Sequence, residues 1–205
     1  MSALRTPDDR FENLHDWPYE SKYVEDLEGY EGLRMAYVDE GQAGAENTYL
    51  CLHGEPTWSY LYRKMIPVFR RTDARIVAPD FFGFGKSDKP EDDATYTYHF
   101  HRNSLLRLVE RLDLYHVTLV VQDWGGILGL TLPMEMRERF DRILIMNTAL
   151  PDGETELGEG FESWRRYVAE HPDLDVGRLM QRAVPGLSDQ EARAYDAPFP
   201  DERYK

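Results

Sequence analysis

A short apolar strand that runs directly into a glycine-rich helix start constrains this chain more than any other feature. Residues 118–121 are β-branched or apolar without alternation, which is typical of a strand buried on both faces. Asp123, Trp124, two glycines and an apolar segment of helical length follow. A strand that turns sharply into a helix, with one reactive side chain at the turn, is the geometry of a nucleophile elbow. The unpaired N–H groups of a helix start favour a carboxylate there, so Asp123 is the candidate nucleophile.

Strand and helix patterns alternate on both sides of this turn. The sequence predicts strands at 33–38, 48–52, 74–78 and 143–146, and helices at 60–69, 98–112 and from the elbow to about 133. This alternation predicts an α/β fold with a mostly parallel sheet flanked by helices, in which ligands bind at the carboxyl ends of the strands. The segment 53–58, the loop around Gly83, Asp123 and Asn147 all fall at such ends.

The two ends of the chain differ in character from this alternating part. Residues up to about 32 are polar and aromatic, and we expect them to form an arm over the surface. A polar, glycine-containing linker at 151–160 leads to patterns for three short helices. These helices are predicted at 161–170, 176–184 and 188–194. We therefore expect a main domain over residues 1–150 and a helical domain over residues 151–205.

The composition excludes several classes of partner. The chain of 205 residues has a net charge of −14, whereas nucleic acids and anionic membranes need a basic face. Its one cysteine, Cys51, cannot form an internal disulfide, and its N-terminus lacks the apolar core of a signal peptide. No apolar run approaches the ~20 residues of a membrane span. We expect a soluble, cytoplasmic protein that binds neither nucleic acid nor membrane.

Two motifs that suggest a bound phosphate or metal fail on spacing. Residues 85–87 have the sequence Gly-Lys-Ser, but the first glycine of a phosphate loop would fall at Asp80. His99 and His101 stand two apart on a predicted helix and therefore point in different directions. His53 is predicted to be a structural residue bonded to loop backbone. The sequence indicates no metal and no cofactor.

Three motifs together carry a resemblance to a known family. They are HGEPTWSYL at 53–61, DFFGFGKSD at 80–88 and VQDWGG at 121–126. They resemble the haloalkane dehalogenases of the α/β-hydrolase fold, and the similarity extends over essentially the whole chain. Within that family the chain is most similar to the subgroup with glutamate after His-Gly, here Glu55. That subgroup takes its second halide donor from a helical cap domain, and Trp164 in the predicted helical domain matches that place.

An aspartate at the elbow suits the chemistry of this family. An alkyl halide has no carbonyl group, so its carbon is displaced directly, and a carboxylate nucleophile leaves an ester that water can hydrolyse. A serine would leave an ether, and the sequence contains no G-x-S-x-G motif. The resemblance implies that a haloalkane and water give a primary alcohol, a halide ion and a proton through an alkyl ester of Asp123.

The resemblance also implies the remaining site residues. Neutral indole N–H groups stabilise a halide without the burial of a second full charge, so Trp124 and Trp164 are the expected halide donors. The backbone N–H groups of Glu55 and Trp124 are the expected oxyanion hole. Phe161 and Ile127 are expected to line the substrate pocket.

One part of the family's machinery has no match in this sequence. Relatives hydrolyse the ester with a histidine and a second acid near the C-terminal end of a longer chain. None of the six histidines has motif support as that base. We therefore expect the chain to be the first two thirds of an enzyme, with the C-terminal remainder missing from this sequence, cleaved off or present as a separate segment or partner chain.

Two alternatives stay open. An epoxide hydrolase shares the aspartate nucleophile but needs cap tyrosines that protonate the leaving oxygen, and Tyr167 and Tyr195 are available for that role. Trp164 and Glu55 match the dehalogenases and therefore argue against an epoxide hydrolase. The second alternative is that the chain by itself is an inactive fragment or a binding module.

Overall fold

A six-stranded sheet of described residues forms the centre of the computed structural model, which describes residues 2–42, 44–150, 153–154 and 158–205. The strands are β1 (Ala3–Leu4), β2 (Ser21–Val24), β3 (Met35–Glu40), β4 (Thr48–Leu52), β5 (Arg75–Pro79), β6 (Lys89–Pro90), β7 (Val117–Gln122) and β8 (Phe140–Met146). The sheet order is β2-β3-β5-β4-β7-β8, and β1 pairs separately with β6. The β5–β4, β4–β7 and β7–β8 pairs are parallel, whereas β2–β3 and β3–β5 are antiparallel. The predicted α/β fold with a mostly parallel sheet is confirmed.

The N-terminal arm takes part in the sheet, which its sequence pattern did not indicate. Strand β2 pairs with β3, from Ser21 opposite Val38 to Val24 opposite Met35. The expectation of an arm that only lies over the surface is therefore wrong for this segment. Pairing satisfies the backbone N–H and C=O groups of β3, which would otherwise form an open sheet edge.

The helices differ in length; the first four lie between strands, and the last three follow the final strand. Their bounds are α1 (Ile66–Phe69), α2 (Tyr98–Arg111), α3 (Trp124–Gly129), α4 (Leu132–Glu135), α5 (Glu159–Glu170), α6 (Val176–Ala183) and α7 (Asp189–Asp196). The predicted helix 98–112 is confirmed, but the one at 60–69 is interrupted before α1. Pro67 explains the interruption, because a proline ring clashes with the preceding helical turn yet fits the start of a helix. Pro133 likewise lies at the start of α4. The elbow helix, α3, was predicted to extend to about residue 133 but ends at Gly129.

Two apolar clusters lie on opposite faces of the sheet. Leu119 and Val121 of β7 belong to a cluster with Leu108 of α2, whereas Val120 belongs to another with Ile66 of α1. Side chains alternate between the two faces of a strand, so each cluster receives every second residue. All three β7 residues are fully buried. The unbroken apolar pattern therefore comes from a strand that is covered on both faces.

Strand β8 forms an edge of the described sheet, and its apolar side chains are exposed. Ile143, Leu144 and Ile145 expose 48%, 40% and 56% of their surface. Consecutive side chains point to opposite faces, so both faces of β8 lack cover from the described residues. The strand itself was predicted correctly, and its place at the edge explains the exposure.

The three helices that follow the sheet confirm the predicted helical segment. Asp175 caps the start of α6, and Ser188 forms a capping box at the start of α7. Helix α7 lies against the main part of the chain, where Trp58 Nε1 donates to the Ala194 carbonyl at 3.0 Å. Five residues of the predicted linker at 151–160 lie outside the described residues, and the domain boundary there stays a prediction. Within the described ranges, no helix is long and apolar enough to cross a membrane.

Candidate active site

The turn after β7 has the backbone geometry of a nucleophile elbow. Asp123 has φ 53° and ψ −127°, and α3 begins at the next residue. A positive φ at a residue other than glycine costs roughly 1–3 kcal/mol and persists where the surrounding contacts hold it. Here the Asp123 N–H donates to the Asn147 carbonyl at 3.1 Å, and the Thr148 hydroxyl donates to the Asp123 carbonyl at 2.6 Å. The predicted elbow geometry is confirmed, and the two residues that follow β8 support it.

Two motif glycines are required by the close approach of neighbouring backbone. A Cβ at Gly125 would lie 2.1 Å from the Leu52 carbonyl oxygen, and one at Gly54 would lie 2.4 Å from the Cβ of Asp123. Real Cβ atoms essentially never make contacts under 3.0 Å. Glycine therefore lets α3 start directly against β4, and it lets the loop after β4 lie against the nucleophile.

The loop after β4 donates a hydrogen bond to the nucleophile. The Glu55 N–H donates to Oδ1 of Asp123 at 3.0 Å. Burial raises the pKa of the Glu55 carboxyl, the charge of Asp123 raises it further, and a hydrogen bond with the Trp124 side chain opposes both effects. One of the two N–H groups predicted for the oxyanion hole thus points at the carboxylate on which an oxyanion would form. The contribution of the Trp124 backbone N–H to the oxyanion hole stays a prediction.

His53, in the same loop, is a structural residue as predicted. Its Nδ1 lies 2.9 Å from the Gly54 carbonyl oxygen, and its Nε2 accepts from the Phe81 N–H at 2.9 Å. The side chain is fully buried, and burial lowers its pKa to about 3. The ring is therefore neutral, with its proton on Nδ1 and both nitrogens engaged, so it is not available as a base.

A cavity of about 290 Å³ opens beside the elbow, and we call it the elbow cavity. Its walls include Glu55 and Trp124 from two of the motifs, Phe81 and Phe84 from the third, and His101 from α2. The cavity is close to the lower limit of volumes usual for small-molecule sites, roughly 300–1,000 Å³. The three sequence motifs therefore meet around one small, largely aromatic cavity.

The other predicted site residues lie further from this cavity. Among the described residues, Leu128 lines the elbow cavity and Ile127 does not. The Phe161 ring lies 6.4 Å from the Trp124 ring between centroids. The Trp164 ring stacks on a neighbouring tyrosine of α5 at 5.9 Å and is not among the described residues that line the cavity. The halide role of Trp164 and the pocket roles of Phe161 and Ile127 stay predictions.

No histidine in the described ranges combines an acid partner with a place in the elbow cavity. His15 and His116 lie 3.4 Å and 3.0 Å from Asp16 and Asp141, but both pairs are exposed and outside the cavity wall. His101 lines the cavity without such a partner, and its spacing from His99 in the sequence does not indicate this position. A helix that follows a parallel strand starts at the carboxyl edge of the sheet. The place of His101 near the start of such a helix could therefore have predicted that it lies near the site.

Comparison with known proteins shows the family to which this chain belongs. A family profile described as alpha/beta hydrolase fold matches residues 48–201. A haloalkane dehalogenase of Psychrobacter cryohalolentis is 48% identical over 208 residues, which cover 100% of this chain and 68% of that protein. This chain belongs to the haloalkane dehalogenase family. A haloalkane dehalogenase of Mycolicibacterium paratuberculosis is 42% identical over 207 residues, again with 100% and 68% of the two chains covered.

Solved structures extend the comparison to three dimensions. The tetrameric haloalkane dehalogenase of Paraglaciecola agarilytica NO2 has a TM-score of 0.97 at 53% identity, over 100% of this dehalogenase chain and 68% of that one. An epoxide hydrolase of Vigna radiata has a TM-score of 0.69 at 21% identity, over 86% of this chain and 65% of that one, and shows a shared fold alone. This dehalogenase chain thus spans 68% of the length of the Psychrobacter and Paraglaciecola relatives.

Proposed function

We propose that Asp123 is the nucleophile of a haloalkane dehalogenase, a hydrolase that turns a haloalkane and water into a primary alcohol, a halide ion and a proton. The observation that carries the proposal is the carboxylate at the elbow, which accepts the Glu55 N–H and lies beside an aromatic cavity. A carboxylate in that place can displace a halide and leave an ester that water hydrolyses.

In the first step, a carboxylate oxygen of Asp123 attacks the halogen-bearing carbon from the side opposite the halogen. The ester C–O bond forms while the carbon–halogen bond breaks, and the halide leaves with the bonding electron pair. Trp124 lines the cavity, and its donor-only indole N–H suits an anion in aromatic surroundings. We assign the second donor to Trp164, because Phe161 on the same helix packs near Trp124.

In the second step, water attacks the carbonyl carbon of the ester. The backbone N–H groups of Glu55 and Trp124 stabilise the oxyanion. The alcohol then leaves with an oxygen that came from Asp123. The oxygen of the attacking water stays in the carboxylate. A general base takes the proton of the water, and His53 is unsuited to that role because both of its ring nitrogens are engaged.

The tyrosines considered for an epoxide hydrolase are poorly placed for that reaction. The Tyr195 hydroxyl accepts from the Arg63 guanidinium at 3.0 Å in a buried cluster, and Tyr167 is exposed on α5. Two other tyrosines line the elbow cavity, but their hydroxyls are engaged within the chain. The Tyr96 hydroxyl donates to the Pro90 carbonyl, and the Tyr98 hydroxyl donates to Thr131, between α3 and α4. These contacts support dehalogenation over epoxide opening.

The test is the substitution Asp123→Asn in the full-length protein. It should lower bromide release from 1,2-dibromoethane at least about 10³-fold, as loss of a covalent nucleophile does in other hydrolases. In a single turnover of the unchanged protein in ¹⁸O-labelled water, the label should enter the Asp123 peptide and not the alcohol.

The matched control is Asp73→Asn, an exposed residue that also has a positive φ, 55°. It should leave bromide release unchanged. Two results would contradict the proposal. One is wild-type activity in Asp123→Asn when the peptide mass shows that the amide is intact. The other is diol formation from styrene oxide that is faster than bromide release.

A further inference from the structure

One imidazole in the wall of the elbow cavity has no role in the reaction proposed above. His101 is the fourth residue of α2 and lines the cavity with Glu55 and Trp124. Its Nδ1 is enclosed and has no hydrogen-bond partner among the described residues. Its ring packs against the rings of Tyr96 and Phe100, at 5.9 Å and 5.4 Å between centroids. Buried polar groups in proteins are normally hydrogen-bonded, so an imidazole without a partner in an aromatic wall suggests a site for a bound molecule.

The neighbouring polar groups of the wall already have partners within the chain. Tyr96 donates to the Pro90 carbonyl at 2.9 Å, and the Thr97 hydroxyl accepts from the Phe100 N–H at 3.1 Å as the helix cap. Apart from these groups, the Trp124 indole N–H is assigned to the halide in the proposed reaction. The imidazole of His101 forms no hydrogen bond within the described chain, so its second nitrogen, Nε2, has no partner there that would compete with a bound molecule.

The position of the single proton on His101 follows from the surroundings of its two nitrogens. Burial lowers the pKa of the imidazole to about 4, so the ring is neutral at pH 7 and carries one N–H. A proton on the enclosed Nδ1 would bury an unpaired donor, which proteins tolerate less well than an unpaired acceptor. Nε2 is not among the enclosed atoms without a partner, and His101 lines the cavity. The donor therefore belongs on Nε2.

We propose that the His101 Nε2–H determines specificity by binding an acceptor oxygen at the far end of the substrate, away from the halogen-bearing carbon. The favoured substrate class is haloalkanes with an ether or hydroxyl oxygen, in preference to plain haloalkanes of equal length. This inference rests on the proposed function, because it concerns the second end of the molecule that Asp123 attacks.

The energetic reason is the cost of removing an oxygen from water. An ether oxygen that enters an aromatic cavity loses its hydrogen bonds to water, which disfavours binding unless a donor replaces them. The His101 Nε2–H can supply that donor, because the ring forms no hydrogen bond with the described residues. A neutral hydrogen bond of this type discriminates between the two substrate classes by about tenfold.

The test compares 1-bromo-3-methoxypropane with 1-bromopentane, which has a methylene in place of the ether oxygen. The ratio of their kcat/KM values is measured by bromide release in the full-length protein and in variants. His101→Phe should lower the ratio about tenfold through a higher KM for the ether. His101→Gln, whose amide N–H reaches the same region, should keep most of the ratio. His101→Leu replaces the Phe variant if that one does not fold.

The matched control is His99→Phe, an exposed histidine on the same helix that is not among the described residues lining the cavity. It should leave the ratio unchanged. If the Phe and Leu variants turn over 1-bromopentane with an unaltered ratio, the inference is wrong and the proposed function stands. If the unchanged protein releases bromide from neither substrate, the proposed function is wrong and the inference falls with it.

Discussion

Asp123 combines a positive φ with close contact to a neighbouring loop, and both features restrict where its carboxylate can lie. The Glu55 N–H fixes one carboxylate oxygen, and the absence of a side chain at Gly54 leaves room for the other atoms. Displacement at carbon requires the attacking oxygen to be aligned with the breaking bond. The site therefore depends on small distances around one side chain.

Gly54→Ala should lower kcat/KM for 1,2-dibromoethane at least about 100-fold, because misplacement of a reacting group by 1 Å has effects of that size. The added Cβ would lie 2.4 Å from Oδ1 of Asp123, so either the loop or the carboxylate must move. The measurement is bromide release by the full-length protein. Gly160→Ala, where a Cβ meets nothing within 4 Å, is the control and should retain full activity. Activity of Gly54→Ala within threefold of the unchanged protein would show that this approach is not required.

Among the helices, α7 is held to the main part of the chain by a buried charge cluster. Glu191 Oε1 lies 2.6 Å from Arg63 Nη2 and 2.9 Å from Lys64 Nζ, and the Glu191 and Arg63 side chains are almost fully buried. The Ser188 N–H donates to the other oxygen at 3.0 Å. The hydrogen bond from Arg63, followed by those from Ser188 and Lys64, holds the pKa of Glu191 well below its usual range.

Glu191→Gln should lower the free energy of unfolding by about 3 kcal/mol, because the Arg63 guanidinium stays buried without its counter-charge. Glutamine still suits the third position of the capping box, so the change isolates the charge. Urea denaturation gives the difference. Glu110→Gln, which breaks an exposed pair with Arg107, is the control and should change stability by under about 0.5 kcal/mol. Equal effects of the two substitutions would contradict a special role for the buried cluster.

The same contact has a pH dependence of defined sign. The pKa of Glu191 in the folded protein is depressed below its ordinary value of 4.5, so the stabilisation is fully present above that pH and is lost as the pH falls further. The stability difference between the unchanged protein and Glu191→Gln should therefore be constant near neutrality and shrink below about pH 5. A difference that persists unchanged to pH 3 would be evidence against this linkage.

For the whole molecule, stability in mild acid depends on histidines that are buried in neutral form. Burial lowers the pKa of His53 to about 3 and that of His101 to about 4. Between these values and the ordinary 6.5, the unfolded chain binds protons that the folded chain does not. The free energy of unfolding should therefore rise with pH across this interval and level off above it.

Each such histidine contributes a slope of up to about 1.4 kcal/mol per pH unit. His101→Phe should remove one of these contributions between pH 4.5 and 6, as measured by urea denaturation at closely spaced pH values. His99→Phe removes an exposed histidine and should leave the slope as it was. An unaltered slope in His101→Phe would mean that this imidazole takes up a proton in the folded protein.

The sequence alone determined the features that depend on residues close together along the chain. The buried strand at 118–121, the elbow at Asp123 and the helices at 176–184 and 188–194 all follow from local patterns. Their periodicity, glycines and capping side chains act within one turn or one strand, so they can be predicted without knowledge of neighbours. The motifs also identified the family correctly.

Only the tertiary structure decided which distant segments meet. It paired β2 with β3, left Ile143 and Ile145 exposed at the sheet edge and put His101 into the wall of the elbow cavity. A pattern states which face of an element is apolar, but the segment that covers this face is chosen by packing over the whole chain. The contact between the Glu55 N–H and Asp123 joins residues 68 positions apart, so their convergence is a property of the folded sheet.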